Sequence, residues 1–281
     1  MASNEEQYRL LEQTRMLLNP KIIQEKKRKI WEYFRIIPGV SVSNMEERMK
    51  LNTILYRAPL FKIHGSYMVN WPINNNGDDI YIDQEFVIDK TKENVINQQL
   101  THETIHSLCR TNDRKRFGHV TSNDNEYLRG INEAATQIFT DNIENHVLEE
   151  QEDYLFFIKG VMRLISDAMG PSYLANQLLN NNTAFEEKFN EITENKFYDF
   201  AFILNDIYKL DKAKHYTSIN DLESERLTRH KDIILSFTTS FVKKVGDLDI
   251  TAYDRIKQDS FNKEFIEKFN IGDILPENKT K

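Results

Sequence analysis

The sequence has 281 residues, and 40% of them are hydrophobic, so the chain is long enough to bury one large core or two smaller ones. Acids and bases are interspersed and the formal net charge is −7, which argues against a nucleic acid as partner. No apolar run approaches the ~20 residues that a membrane-spanning helix requires, so no membrane partner is expected. The single cysteine, Cys109, excludes an internal disulfide framework and any multi-cysteine metal site.

The first residues of the chain, 1–6, are polar and acidic. They lack the positively charged and apolar regions of a secretory signal peptide. This start favours a protein that stays in the cytoplasm. Nothing in the composition indicates an oligomeric state, which is left open.

Most of the chain has a helical pattern. Three segments near the start carry apolar residues at helical spacing and are predicted to be helices: 5–18, 21–37 and 44–56. The segment 58–88 differs because it contains turn signals, and its last part, 80–88, has the composition of a β-strand. Helical patterning resumes at Thr91 and continues to the C-terminus with breaks, one of them over residues 211–219.

A His-Glu-x-x-His motif occupies residues 102–106 of a predicted helix. Residues four apart differ by only about 40° around a helix axis, so His102 and His106 leave the same face and can bind one metal ion. Glu103 lies beside that metal position. Two imidazoles with a carboxylate suit Zn²⁺ and leave a fourth coordination position open. The alternative interpretation is a helix with two ordinary histidines.

A second segment lies downstream, and residues 130–143 read Gly-Ile-Asn-Glu-Ala-Ala-Thr-Gln-Ile-Phe-Thr-Asp-Asn-Ile. Its Asn-Glu-Ala at 132–134, followed by Ile138 and Phe139, resembles the second zinc-binding helix of the thermolysin-like, or gluzincin, zinc metallopeptidases. The resemblance covers about 50 residues. It implies that Glu133 is the third zinc ligand, that Glu103 is the catalytic base, and that the substrate is a peptide or protein.

The sequence departs from this family at two points. Glu133 follows His106 by 27 residues, a longer gap than in thermolysin, which an inserted polar loop would absorb. The family places an aspartate four residues after the ligand glutamate, and this chain has Gln137 there. A glutamine oxygen can still accept the N–H of His102, so Gln137, with Asn132, is expected to lie around the ligands.

The resemblance also implies a residue that stabilises the oxyanion of the transition state. In the family, a histidine or tyrosine of the helical C-terminal lobe serves this purpose. The best candidates are His215 and Tyr216, in the predicted break over 211–219, and His230 and Tyr173 are rivals. Zinc would activate a water molecule, and Glu103 would transfer its proton to the leaving amine.

The expected fold is α+β and predominantly helical, with a small β-sheet beside the pair of zinc-binding helices. Residues 1–57 would form an N-terminal helical segment, 58–150 the catalytic lobe and 151–281 a helical C-terminal lobe.

Other functions remain open at this point. One is a protein that keeps zinc only for structure, although such a site usually closes its fourth position with another side chain. A second is a catalytically weak or inactive zinc-binding regulatory protein of the same fold, which the neutral Gln137 favours and the intact Glu103 disfavours. The ImmA/IrrE regulatory proteases carry a similar motif, but their second motif places its aromatic residue closer to the glutamate than Phe139 is here.

Overall fold

The computed structural model describes residues 16–17, 19–50, 52–58, 66–69, 77–83, 93–109, 116–117, 120–121, 128–145, 154–180 and 183–276. The helices in these ranges are α1 (Pro20–Arg35), α2 (Ser43–Met49), α3 (Glu93–Leu108), α4 (Arg129–Glu144), α5 (Phe156–Met169), α6 (Pro171–Asn180), α7 (Ala184–Thr193), α8 (Phe197–Tyr216), α9 (Asp221–Leu248), α10 (Thr251–Gln258) and α11 (Ser260–Lys268), followed by a 3₁₀ turn (Gly272–Ile274). Among these helices, none is both long and apolar enough to cross a bilayer.

Extended segments lie mainly between α2 and α4. The strands are β1 (Met16–Leu17), β2 (Asn52–Ala58), β3 (Ser66–Val69), β4 (Gly77–Asp83), β5 (Arg116–Phe117) and β6 (Val120–Thr121). The first four pair in the order β1-β2-β4-β3, in which β2 and β4 are parallel and the other pairs are antiparallel. β5 and β6 form a separate antiparallel pair.

Local signals explain where several helices begin and end. Asn19 caps α1 by accepting the N–H of Lys21 at 3.0 Å, and Pro20 occupies the first helical position, where its missing N–H costs nothing. Asn220 and Glu223 form a reciprocal capping box at the start of α9. Gly170 ends α5 with a φ of 106°, a conformation that residues with a Cβ rarely adopt.

The α4 helix is the centre of the molecule. It packs against α3, α5 and α8, and most of its side chains are buried. The close approach of α8 requires Gly130, since a Cβ there would lie 3.1 Å from the Cβ of Tyr208 and 3.2 Å from the Cα of Asn205. Asn205 also accepts the N–H of Gly130 at 3.1 Å, which satisfies one of the free donors at the start of α4.

The hydrophobic cluster that forms the core lies in the helices and the turns beside them, and Ile80 on β4 is buried outside it. Among the described residues the cluster runs continuously from Ile30 on α1 to Ile274 in the final 3₁₀ turn, and none of its members lies in a strand. The fold class is therefore all-helical, and the prediction of an α+β fold with a small β-sheet is wrong, because no described side chain of β1–β4 belongs to this cluster. The local pattern of residues 80–88 carried no information on which elements pack together in the core, and packing determines the class.

Several predicted elements differ from the structure. The helix predicted over 21–37 is confirmed as α1. The helix predicted over 44–56 is wrong in its second half because Asn52–Ala58 pairs with β4 instead. Of the helix predicted over 5–18, Met16–Leu17 is extended and the rest lies outside the described residues, as does the part of 80–88 beyond Asp83.

The break predicted over 211–219 is also misplaced. The α8 helix continues to Tyr216, and only four residues separate it from α9. Lys212 and His215 therefore belong to a regular helix, whose last turn is rich in basic residues that complement the helix dipole. The division of the chain into segments 1–57, 58–150 and 151–281 stays a prediction.

Candidate metal centre

The site lies between α3 and α4, which run antiparallel. The pairing of their side chains shows this direction, because His106 faces Glu133 whereas Thr101, earlier on α3, contacts Glu144 at the end of α4. Each helix presents polar residues at intervals of four, and this spacing forms one stripe along a helix. The two stripes are Gln98, His102 and His106 on α3 and Glu133, Gln137 and Asp141 on α4.

His102, His106 and Glu133 converge at the end of this stripe. The distance from His102 Nε2 to Glu133 Oε2 is 3.2 Å, that from His106 Nε2 to the same oxygen is 3.6 Å, and the two Nε2 atoms lie 3.0 Å apart. Two atoms that each lie about 2.0–2.1 Å from a tetrahedral zinc ion are separated by roughly 3.3–3.4 Å. The three separations lie on either side of this value, so the cluster could hold a metal ion of that size.

The electrostatics of the cluster favour a positive charge at its centre. Burial by itself would raise the pKa of the Glu133 carboxyl, but the charge of His106 and hydrogen bonds from both imidazoles hold that pKa well below its usual range. Burial would likewise lower the pKa of His102, but Glu133 raises it, with smaller contributions from Glu103 and Gln137. Carboxylate and imidazoles thus share a region with little access to water, where each stabilises the charge of the other.

Gln137 occupies the position predicted for it, beside the first histidine. Its Oε1 lies 2.9 Å from His102 Nδ1. Its Nε2 donates to Gln98 Oε1 and to Asp141 Oδ1, at 2.8 Å in each case. Asn132 is buried on the same helix, next to Glu133.

A second group of polar side chains lies on α8, next to the start of α4. Tyr208 is buried against Gly130, and Lys212 Nζ donates to its hydroxyl at 3.4 Å. Lys212 also lies over the ring of Tyr154, at 5.6 Å from the ring centroid. Arg129 extends from the first turn of α4, with its Nε 4.0 Å from Glu133 Oε1.

Both α8 side chains are influenced by the charges of the site. Burial, followed by the negative charge of Glu133, raises the pKa of Tyr208 to about 12, so its hydroxyl remains a donor at neutral pH. Burial lowers the pKa of Lys212, and Glu133 and Glu103 partly oppose this shift. A phenol and an ammonium group therefore lie on the α8 side of the candidate ligands, where they can donate to an anionic oxygen.

His215 and Tyr216 lie further along α8, in its last turn. Both rings pack against Tyr154, at centroid distances of 5.9 Å and 5.6 Å, and both residues are exposed at the surface. Lys212 and Tyr208 are one and two turns closer to the start of the helix, respectively, and are the α8 residues whose pKa values respond to Glu133.

The sequence interpretation did not identify Gln98, Asp141, Tyr208 and Lys212 as residues of this site. Two of them could have been found from spacing alone, because Gln98 precedes His102 by four residues and Asp141 follows Gln137 by four. Tyr208 and Lys212 had no such signal, since only the packing of α8 against Gly130 brings them to α4.

Comparisons with protein-family models, with curated protein sequences and with solved structures return no match for this chain.

Proposed function

We propose that this chain is a zinc-dependent metallopeptidase that resembles the thermolysin-like enzymes and hydrolyses peptide bonds. The observation that carries the proposal is the convergence of His102, His106 and Glu133 at separations that fit a tetrahedral ion. The donor set supports zinc in particular, because two imidazoles and one carboxylate are a common ligand set of catalytic zinc sites. The fourth coordination position would then be free for water or substrate.

Zinc bound at these residues would supply a Lewis acid that polarises a peptide carbonyl and lowers the pKa of a water molecule. Glu103 follows His102 on α3, is half-buried, and is close enough for its charge to act on His102 and on Lys212. Its carboxylate is the group that would accept the proton of the attacking water and pass it to the leaving amine.

Tyr208 is the donor that we propose for the oxyanion of the tetrahedral intermediate. Its hydroxyl keeps its proton at neutral pH, and Lys212 beside it adds a positive charge. A donor aimed at developing negative charge in a site with little water is worth several kcal/mol of transition-state stabilisation, roughly 2.7–4 kcal/mol in mutagenesis of other enzymes. His215 and Tyr216 are the second choice for this donor because they lie at the end of α8, further from its contact with α4 than Tyr208 is.

The substrate would be a peptide or protein, and the cytoplasm is the proposed location. A single buried cysteine is compatible with a reducing compartment, because the described fold depends on no disulfide.

The metal is tested first. Purified protein that is supplied with zinc and then dialysed should retain one zinc per chain, and His102→Ala or His106→Ala should abolish this binding. His230→Ala is the matched control, since His230 Nδ1 lies 3.0 Å from Asp206 on another helix pair. A wild-type protein that retains no zinc would overturn the proposal.

Turnover is tested with the zinc-loaded protein and an unbiased peptide library. The wild type should cleave peptides, whereas Glu103→Gln should keep its zinc and its fold and lose cleavage, because the amide is nearly isosteric but cannot act as a base. Full zinc occupancy with no cleavage by the wild type would instead support a catalytically inactive zinc-binding protein. Equal cleavage by both proteins would show that Glu103 is not the base.

A further inference from the structure

The amide of Gln137 has a defined orientation, and Asp141 determines it. An ionised carboxylate has no hydrogen to donate, so the atom of Gln137 that lies 2.8 Å from Asp141 Oδ1 must be the amide nitrogen. The opposite atom, Oε1, therefore faces His102 Nδ1 at 2.9 Å. An oxygen at that place accepts a hydrogen bond, which favours the proton on Nδ1 and leaves the lone pair of Nε2 for a metal.

The second oxygen of Asp141 is held by a buried lysine. Lys159 on α5 places its Nζ 3.0 Å from Asp141 Oδ2, and both side chains are fully buried. The ring of Phe261 covers the ammonium group, at 5.0 Å from its centroid. A charge pair without access to water is costly unless both partners are matched, and Lys159 supplies the matching charge that holds the Asp141 carboxylate in place.

These contacts form a continuous series of polar groups from α5 to the candidate metal site. We propose that Asp141 and Lys159 are positioning residues that set the orientation of the Gln137 amide and, through it, the protonated nitrogen of His102. The inference rests on the proposed function only in taking zinc as the ion that His102 binds. It gives a function to a fully buried ion pair.

The direct test replaces Asp141 with asparagine. In Asp141→Asn, the single remaining oxygen is attracted to the Lys159 ammonium, so the side-chain NH₂ group faces Gln137. Two donors then meet, so we expect the Gln137 amide to rotate together with the Gln98 amide that it contacts, and to present its own NH₂ group to His102. We expect the affinity for zinc, measured by competition with a chelator, to fall roughly tenfold, the usual scale for loss of an outer hydrogen bond to a ligand histidine.

The double variant Asp141→Asn/Lys159→Met is the matched test of whether zinc affinity can be restored. Without the ammonium group, the asparagine can turn its oxygen toward Gln137, and zinc affinity should return close to that of the wild type. A purely structural role would not produce this recovery, because the double variant has lost the whole ion pair. In a protein that already carries Gln137→Leu, adding Asp141→Asn should lower the affinity for zinc little further, since both substitutions act through the same contact.

The orientation can be measured without metal. Both N–H groups of the Gln137 amide face buried acceptors, so they should exchange slowly with solvent in the metal-free protein and faster in Asp141→Asn. Slow exchange that depends on Asp141 would support the inference even if the wild type bound no zinc, which would overturn only the proposed function. Unchanged exchange and zinc affinity in a folded Asp141→Asn protein would overturn the inference.

Circular dichroism shows whether the variants fold. If Asp141→Asn does not, the pair Asp141→Leu and Lys159→Met replaces both charges with apolar groups of similar size, an exchange that buried ion pairs often tolerate. Zinc affinity in that folded double variant should still fall, because only Gln98, an amide that can itself rotate, then accepts from the amide nitrogen of Gln137. Wild-type affinity in it would contradict the inference.

Discussion

At the scale of single residues, the site depends on which groups can donate and which can only accept. Glu133 Oε2 lies 3.2 Å and 3.6 Å from the Nε2 atoms of His102 and His106, and Gln137 Oε1 accepts at the other ring nitrogen of His102. The Tyr208 hydroxyl has a pKa raised to about 12, so it stays a donor under the conditions in which Glu133 is an anion. At neutral pH, Tyr208 can therefore donate a hydrogen bond beside Glu133, which can only accept one.

Tyr208 gives the sharpest prediction at this scale. Tyr208→Phe removes one hydroxyl and keeps the ring and the Cβ that lies against Gly130. We expect zinc content and KM to change little and kcat to fall on the order of 10²–10³-fold, as when one oxyanion donor is removed from other enzymes. The measurement is steady-state cleavage of a peptide identified in the library. A loss confined to Tyr216→Phe, with Tyr208→Phe active, would assign the donor to the end of α8 instead.

At the scale of elements, the molecule depends on helices that approach each other closely at glycines. Gly160 on α5 faces α11, where Phe265 is fully buried among the rings of Phe156, Phe157 and Phe269. A Cβ on Gly160 would lie 2.1 Å from a ring carbon of Phe265, well inside van der Waals contact. Lys159, which holds Asp141, is its immediate neighbour.

Gly160→Ala is therefore expected to destabilise the protein. The ring of Phe265 has no free space to move into, so overpacking should cost about 1–3 kcal/mol in the free energy of unfolding. The matched control is Gly272→Ala, because a Cβ at Gly272 would meet nothing within 4 Å, and its effect should stay within about 0.5 kcal/mol. Urea unfolding of the wild type, Gly160→Ala and Gly272→Ala measures both changes in the free energy of unfolding. Equal stability of Gly160→Ala and the wild type would show that α11 can move away without cost.

At the scale of the whole molecule, stability is tied to pH through a partly buried carboxylate outside the metal site. Asp167 on α5 accepts a hydrogen bond from Asn262 Nδ2 at 2.6 Å. Burial, followed by repulsion from Asp259, raises its pKa from 3.8 to about 6, although Arg163 and Arg255 oppose the shift. The residues concerned belong to α5, α10 and the start of α11, so this titration affects the packing of the C-terminal helices.

The pH dependence follows from this shift. The folded state binds the Asp167 proton more tightly than the unfolded chain, so protonation of Asp167 adds stability below about pH 4, and this contribution is lost as the pH rises to about 6. A difference of about two pKa units corresponds to about 3 kcal/mol. In Asp167→Asn, the side chain stays neutral at every pH, so this contribution to the pH dependence of the free energy of unfolding is absent. The free energy of unfolding of the wild type, relative to that of Asp167→Asn, should therefore fall by up to about 3 kcal/mol between pH 4 and pH 7 in urea titrations. A difference that stays constant across this range would contradict the prediction.

The sequence by itself determined the residues of the candidate ligand set. His102 and His106 share a helix face because of the helical period, and Glu133 was identified from the short motif around it. Gln137 was placed beside His102 by the same reasoning, and the helix α1 followed from its apolar spacing and its cap. These features depend on residues within one turn or one motif, and local geometry is sufficient for them.

Only the tertiary structure decided the fold class, the donors on α8 and the connection to Lys159. Residues 44–56 have a helical pattern, yet Asn52–Ala58 pairs with β4, because pairing with a distant segment outweighs weak local propensity. Tyr208 reaches the site because Gly130 lets α8 approach α4, and Lys159 reaches Asp141 because α5 covers the same central helix. Contacts between residues tens of positions apart depend on how whole helices pack, and no local pattern in the chain encodes that packing.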